Sequence, residues 1–145
     1  MNSRNQTAFA LAASLLTVVF TLFFTFKVMA AEPAKVFFIE PSDKATVGKA
    51  VKVKMGIAGM KICPANQETP DKTCGHHHLI IDGKAVPEGQ AIPNDPTHVH
   101  FGKGQTEYDL TLTPGSHTLT LQFADFAHRS FGEKLSNTIT VNVNK

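Results

Sequence analysis

Apolar and polar residues alternate along several short segments of the chain. The clearest segment covers residues 50–57, where Val51, Val53 and Met55 alternate with lysine residues. A two-residue period is typical of a strand that has one face in a core and the other in solvent. Beyond the first 30 residues, the sequence has no segment with the 3.6-residue period of a helix. The pattern predicts strands over residues 35–40, 50–57, 76–82, 107–112, 117–123 and 137–143.

The predicted strands are short and are separated by turn signals such as the Pro-Gly pair at residues 114–115. Six or seven strands of this kind favour a single immunoglobulin-like antiparallel β-sandwich over residues 31–145, with a small barrel as the alternative. Residues 83–104 are rich in Pro, Gly and Asn and are predicted to form a long excursion, interrupted by a strand-like piece at 98–101. Long loops in compact domains are often functional.

Residues 1–30 are predicted to be a secretory signal peptide. A short polar start contains Arg4, an apolar run covers residues 8–26, and the small residues Ala30 and Ala31 follow. Cleavage after Ala30 or one residue later is expected. The apolar run is also close to the lower limit of about 17 residues for a transmembrane helix, so an uncleaved anchor is the alternative. Either outcome predicts a periplasmic or secreted domain that meets the membrane only through an uncleaved signal segment.

The charge balance argues against nucleic acid as a partner. The chain has 14 Lys and Arg residues against 12 Asp and Glu residues, and two of the positive residues, Arg4 and Lys27, lie in the signal segment. The remaining 12 positive charges balance the 12 carboxylates beyond that segment. Recognition of a phosphate backbone normally needs a basic face, for which a neutral composition gives no indication.

Two cysteines, Cys63 and Cys74, delimit a polar segment that has two prolines and no strand pattern, so it is predicted to be a loop. In an oxidising compartment, a disulfide that closes this loop is the simplest interpretation. Two thiolate metal ligands are the alternative, although the spacing is not the C-x-x-C of a zinc or redox motif. A disulfide would fix the approach to Gly75 and to the histidines that follow it.

Five of the seven histidines fall into two tight groups. His76, His77 and His78 are consecutive, while one valine separates His98 from His100. Because successive strand side chains point to opposite faces, the outer two histidines of the first group share a face and the middle one points the other way. The two histidines of the second group also share a face. Each group therefore offers two imidazoles about 6–7 Å apart, and two such pairs can surround one ion.

The clusters predict a site for a copper or zinc ion, because neutral imidazole binds both metals at pH 7. Further candidate ligands are His128, with Asp125 as an orienting partner, and Met60, whose thioether suits Cu(I). His117 is predicted to have a hydrogen-bonded structural role. In the alternative interpretation, the clustered histidines form a polar network that holds the long excursion onto the sandwich without any ion. The predicted ligands are His76, His78, His98 and His100, followed by His128 and Met60.

Four sequence blocks carry a resemblance to a known family. They are VFFIEP at residues 36–41, GHHHLIID at 75–82, HVHFGKGQTE at 98–107 and LTPGSHTL at 112–119. Together they resemble a family of secreted bacterial domains that is known only as a domain of unknown function. The resemblance covers nearly all of the chain beyond the signal segment. It supports the extent of the domain and implies no particular reaction.

A shorter likeness concerns His98, His100 and the Phe101-Gly102 pair. This stretch is similar to the copper-ligating His-x-His strand of copper-zinc superoxide dismutases, which are also exported β-sandwiches with a disulfide. The remaining ligand pattern of that family is not identified in this chain. The likeness therefore implies a copper-binding strand and does not extend to dismutase activity.

Three hypotheses of function follow from these features. The first is an exported module that carries or buffers copper or zinc through its clustered histidines. The second is a cell-envelope interaction domain, in which the histidines are structural and the loop at residues 102–105 contacts a protein or glycan. The third is a metal-dependent enzyme such as an oxidoreductase, which would use an open coordination position on the metal. It ranks last because the sequence has no recognisable nucleophile elbow and no phosphate-binding glycine loop.

Overall fold

A computed structural model describes residues 33–65 and 71–145, and the predicted signal peptide at 1–30 lies outside the described residues. Within these ranges there is no α-helix, and no helix is long and apolar enough to cross a membrane. All six predicted strands are present, with ends that shift by at most two residues. The strands are β1 (Lys35–Glu40), β2 (Ala45–Val47), β3 (Ala50–Ala58), β4 (Lys61–Ile62), β5 (Cys74–Ile81), β6 (His98–His100), β7 (Glu107–Thr111), β8 (Gly115–Ala124) and β9 (Ser136–Val143).

The smaller of the two sheets has three antiparallel strands in the order β1, β3, β7. Its central strand shows the alternation predicted from the sequence. Val51, Val53 and Met55 are at most 3% exposed, whereas Lys52 faces solvent and forms an ion pair with Asp109 of β7. The inner face of this sheet is therefore apolar and its outer face is charged.

The larger sheet has six strands in the order β2, β9, β8, β5, β4, and β6 also pairs with β5. Strand β8 is antiparallel to both of its neighbours. Two pairings, β2 with β9 and β4 with β5, are parallel, which differs from the wholly antiparallel prediction. Strands β2 and β4 have only three and two residues, which is too short for a two-residue period to be visible in the sequence.

The two sheets pack face to face around one hydrophobic core. Val53 of the smaller sheet meets Leu121, Phe123 and Val141 of the larger sheet in this core, and all four are 0% exposed. These residues occupy alternate strand positions, as expected for inward-facing side chains. The predicted all-β sandwich is confirmed.

The second face of the larger sheet is covered by the chain itself. Gln122 is 0% exposed, and its Nε2 donates hydrogen bonds to the Val86 carbonyl at 2.8 Å and to the Ser130 hydroxyl at 2.7 Å. The Val86 N–H in turn donates to Oε1 of Gln122 at 2.9 Å. Nearby, the Thr120 hydroxyl donates to the Gly83 carbonyl at 3.0 Å. The long excursion and the segment before β9 therefore enclose a buried polar layer.

The predicted disulfide between Cys63 and Cys74 is confirmed, with Cα atoms 5.6 Å apart. It ties the chain after β4 to the first residue of β5. In addition, the N–H of Cys63 donates a hydrogen bond to the Gly75 carbonyl at 2.7 Å. The start of β5, two residues before His76, is thus fixed by a covalent bond and a hydrogen bond.

Candidate metal centre

Strand β5 carries two histidines into the buried polar layer. His76 and His78 are 0% and 1% exposed, and the antiparallel register places His78 opposite Gln122 of β8. Because residues two apart in a strand share a face, both imidazoles lie on the covered side of the sheet. His77 points into the sandwich core, where its ring centroid is 5.1 Å from that of Phe123. The three consecutive histidines are therefore divided between the two faces.

Strand β6 adds a third histidine beside β5. The register pairs His100 with His78, and His98 with Ile80. The ring centroids of His78 and His100 are 5.0 Å apart, with planes 25° from parallel. His100 thus joins the two histidines of β5, whereas His98 lies one cross-strand position further along the sheet.

The His98 ring is held by an aspartate in the preceding turn. Its Nδ1 lies 2.9 and 3.0 Å from the two carboxylate oxygens of Asp95. The hydroxyl of Thr97 donates to the same carboxylate at 2.7 Å, and its backbone N–H does so at 2.8 Å. The hydrogen bonds from Thr97 and His98 lower the pKa of Asp95 to about 2, so this carboxylate is ionised at neutral pH.

A tight turn after β8 positions His128 beside the other histidines. One carboxylate oxygen of Asp125 accepts hydrogen bonds from the backbone N–H groups of Ala127 and Arg129, both at 2.9 Å. His128 itself has a φ of 62°, a left-handed conformation that is uncommon for residues other than glycine. The turn directs the imidazole back onto the sheet, where it meets the histidines of β5 and β6.

Four imidazoles therefore converge from two strands and one turn: His76, His78, His100 and His128, called the histidine cluster below. The six distances between their ring centroids range from 4.5 to 6.0 Å. The Nε2 atoms of His76 and His78 are 3.0 Å apart, and those of His100 and His128 are 3.1 Å apart. Ring nitrogens of His76, His100 and His128 also lie within 4.8 Å of one another.

Part of this arrangement fits a metal site: ring nitrogens of His76, His100 and His128 lie close enough together to hold one ion, and His78 adjoins this group through His76. A metal–nitrogen bond of about 2.0–2.1 Å places the ligand nitrogens about 3.3 Å apart and the centroids of their rings about 5.2 Å apart. Packed aromatic rings adopt centroid distances of about 4.5–7 Å without a metal, so the convergent Nε2 atoms are the more specific feature. Without an ion, each close Nε2 pair forms an N–H···N hydrogen bond. A bound ion would take the nitrogens of a pair as ligands in place of this hydrogen bond.

Burial keeps much of the cluster uncharged. Burial, reinforced by the nearby His100 and His128, lowers the pKa of His76 to about 4. Burial and the adjacent His76 lower the pKa of His78 to about 2, and burial also lowers the pKa of His100. A neutral imidazole has the free lone pair that binds a metal ion. At neutral pH these three rings therefore need not lose a proton before they could bind a metal ion.

Several buried ring nitrogens have no hydrogen-bond partner within the described part of the chain. They are Nδ1 of His76, Nδ1 of His78 and both ring nitrogens of His77. A buried polar atom without a partner costs about 1–3 kcal/mol. In most metal sites the nitrogen that is not a ligand donates to a carboxylate or carbonyl, which orients the ring. In β5, strand register and packing orient the two rings instead.

A cleft of about 350 Å³ opens beside the cluster. Its lining includes three of the four cluster histidines. His76 is 0% exposed and does not line the cleft. An ion or small ligand therefore approaches from the side of the long excursion. The lining residues are His78, Ala91, Ile92, Asn94, His100, Ala127 and His128.

The other candidate residues have different surroundings. Met60 packs against the hydrophobic core, so its thioether has apolar neighbours. Nδ1 of His117 is 2.7 Å from the Asp82 carboxylate, and its Nε2 is 2.9 Å from the Thr113 carbonyl. These contacts agree with the structural role predicted for His117.

Two residues that shape the site were not predicted. Gly102 lies directly against the His100 ring, and a Cβ at this position would overlap the Cε1 and Nε2 atoms of that ring. Gln122 ties both covering segments to the sheet through Val86 and Ser130. The strand pattern places Gln122 on an outward face, and nothing in the sequence indicates that a loop buries this face.

An all-β sandwich whose larger sheet carries a partly buried four-histidine cluster is the class of protein that this fold and site define. The sequence profile of the family described as Domain of unknown function (DUF4399) matches residues 53–144, and the chain belongs to this family. The match runs from β3 to β9 and includes the whole histidine cluster. The resemblance to a family of unknown function is therefore confirmed, whereas the likeness of residues 98–102 to a dismutase strand stays a prediction.

No curated protein matches the chain. Among solved structures, the endo-beta-1,4-mannanase from Thermotoga petrophila aligns with a TM-score of 0.45 and 16% sequence identity. The alignment covers 77% of this chain but only 20% of the mannanase chain. A likeness at this level carries no argument about function.

Proposed function

We propose that the protein is an exported module that binds one copper or zinc ion through His76, His78, His100 and His128. The observation that supports this proposal is the convergence of four imidazoles, with Nε2 separations of 3.0 and 3.1 Å in two pairs. Ring nitrogens of His76, His100 and His128, which come from two strands and a turn, lie within 4.8 Å of one another, and Nε2 of His78 adjoins that of His76. Two separate N–H···N pairs would not by themselves require nitrogens of three rings to lie within 4.8 Å of one another.

The donor set favours copper and zinc over the hard cations. The cluster supplies four imidazole nitrogens, whereas calcium and magnesium prefer oxygen ligands. The nearest acidic residue in the turn, Asp125, already accepts hydrogen bonds from two backbone N–H groups. A neutral four-nitrogen site therefore suits Zn²⁺ and copper.

The surroundings of the cluster favour carriage or buffering of the ion. His76 and His78 are buried and held on a central strand, while His100 and His128 border a cleft that reaches the surface. One side of the site is thus fixed and the other side is accessible for metal exchange. The predicted signal peptide and the disulfide favour a periplasmic or secreted location, since disulfides persist in oxidising compartments.

The test is metal binding by the protein expressed with its own export segment and purified without a histidine tag. Titration calorimetry with Zn²⁺ and Cu²⁺ is expected to give one ion per chain. His128→Asn is expected to weaken binding strongly, because asparagine tolerates the left-handed backbone at this position but supplies no imidazole. His117→Ala is the matched control, since it removes a histidine that is hydrogen-bonded to Asp82. If His128→Asn bound the ion as the wild type does, the proposed ligand set would be wrong.

The cleft also favours a second candidate function, a metal-dependent enzyme. A catalytic metal site keeps an open coordination position that a substrate or water occupies. His78, His100 and His128 line a space large enough for a small ligand. Turnover that depends on the loaded metal, and that azide inhibits, would favour catalysis. Stoichiometric binding without turnover would favour carriage.

A further inference from the structure

His98 has the arrangement of a metal ligand although it lies outside the histidine cluster. Its Nδ1 is engaged by the Asp95 carboxylate, at 2.9 and 3.0 Å. A carboxylate on one ring nitrogen commonly orients the other nitrogen of a metal-bound histidine. With the proton held on Nδ1, the lone pair is on Nε2, which has no hydrogen-bond partner among residues 33–65 and 71–145. The Nε2 lone pair of His98 is therefore available to bind a cation.

His98 lies on the same strand face as His100, which belongs to the histidine cluster. His98 precedes His100 by two residues in β6, so the two rings share a face about 6–7 Å apart. The imidazoles along this face range from partly exposed to buried. The His98 side chain is 19% exposed and His100 is partly buried, while His78 is 1% exposed. Imidazoles therefore line a path from the partly exposed His98, past His100, to the buried His78.

The charge beside His98 also favours cations. The Asp95 carboxylate is ionised and 43% exposed, and the hydroxyl and backbone N–H of Thr97 fix its position. The residue before it, Asn94, lines the cleft that leads to the cluster. An ionised carboxylate at this point raises the local concentration of cations and therefore the rate of association.

We propose that Nε2 of His98 is the capture ligand of the incoming metal ion, which then passes to His100 and into the histidine cluster. This inference rests on the proposed function. A ligand that binds the ion first, and does not hold it in the final complex, accelerates both loading and release. It therefore changes both rates while leaving the equilibrium affinity nearly unchanged.

Stopped-flow mixing of the full protein with Co²⁺ or Zn²⁺ tests this role. His98→Ala and His98→Gln are both expected to lower the association rate constant by about tenfold, because both remove the nitrogen that binds the ion first. Both are expected to slow dissociation in parallel. Asp95→Asn is expected to lower the association rate less, because the imidazole remains. His117→Ala removes another aspartate-bonded histidine and is expected to leave both rates unchanged.

The outcomes separate this inference from the proposed function. If the wild-type protein bound no ion, both would be wrong. If it bound one ion but His98→Ala and His98→Gln loaded at the wild-type rate, only the capture role would be wrong. A large loss of equilibrium affinity in both variants would also overturn the capture role, because His98 would then be a ligand in the final complex.

Discussion

The imidazole of His100 packs directly against Gly102, so that residue 102 has no room for a side chain. A Cβ at this position would overlap two atoms of the ring, including Nε2. The backbone of Gly102 is outside the left-handed region, so alanine is tolerated by the main chain. The glycine is therefore required by the ring that lies on it, and it positions a proposed metal ligand without contacting the ion.

Gly102→Ala is accordingly expected to weaken metal binding about 10- to 100-fold, the usual effect of disturbing the support of a ligand. The fold should persist, because the ring can move away from the new methyl group. Calorimetric titration and thermal unfolding of the apoprotein measure the two effects. Gly48→Ala is the control, since no atom lies within 4 Å of a Cβ at that glycine. Wild-type affinity in Gly102→Ala would show that the His100 position is not critical.

Gln122→Leu is expected to lower the free energy of unfolding by about 1–3 kcal/mol, because it leaves the partly buried N–H of Val86 without its acceptor. It also removes the hydrogen bond between Gln122 and the Ser130 hydroxyl. Urea denaturation measures the loss, and faster amide exchange in the long excursion would show that the cover has loosened. Gln90→Leu, at an exposed position in the same excursion, is the control. Equal stability of the two variants would contradict the role given to Gln122.

The His117–Asp82 pair predicts a pH-dependent contribution to stability. The hydrogen bond that the His117 ring donates to the Asp82 carboxylate raises the pKa of His117 above its usual value of about 6.5. A raised pKa in the folded state stabilises the fold below the unfolded value and loses this effect as the pH rises through the folded value. His117→Gln should therefore destabilise the protein more at about pH 5.5 than at about pH 8.5. Urea denaturation at both pH values, with Asp82→Asn as the partner variant, checks this. An equal loss at both would show that the pair does not titrate.

Metal affinity is expected to depend less on pH than affinity for exposed histidines does. Protons compete with the ion for ring nitrogens, and binding weakens as the pH falls through the ligand pKa values. Burial holds the pKa values of His76 and His78 at about 4 and about 2, so these rings stay unprotonated in mild acid. Titrations between about pH 8 and pH 6, compared with a four-histidine peptide, measure the difference. Parallel pH profiles would contradict the burial argument.

Loss of the disulfide is expected to affect both stability and the site. Replacing Cys63 and Cys74 by alanine should lower the free energy of unfolding by about 2–4 kcal/mol. Metal affinity should also fall, because the bond fixes the start of β5 two residues before His76. Wild-type protein treated with a thiol reductant is the control for the effect of substitution. Unchanged metal affinity in both samples would show that β5 is held without the disulfide.

The sequence pattern predicts six of the described strands well, because each of these six has an apolar face. The same alternation assigns His76 and His78 to one face and His77 to the other. Strands β2 and β4 could not be predicted, since two or three residues show no period. Strand β2 pairs in parallel with β9, and β4 with β5. Such pairings depend on how distant strands come together in the folded sandwich, which the sequence of a single strand does not indicate.

The site could be predicted only in part. Alternation alone pairs His98 with His100, but the β5–β6 register places His100 beside His78 and His98 beside Ile80. The register depends on contacts between strands that are distant in sequence, so the alternation within a single strand does not reveal it. His128 reaches the cluster through a turn that has no periodic signal, so the sequence could offer it only as an additional candidate.

The most direct test of the account is the metal content of the protein, purified without a histidine tag and then titrated with Zn²⁺, Cu²⁺ and Cu⁺ at neutral pH. The account predicts one ion per chain in the wild type, and loss of this stoichiometry in a variant that combines His100→Gln with His128→Asn. Circular dichroism should show that the variant keeps its β structure. A wild-type protein that binds no ion at micromolar metal would contradict the account, and the four histidines would then be a structural hydrogen-bonded network.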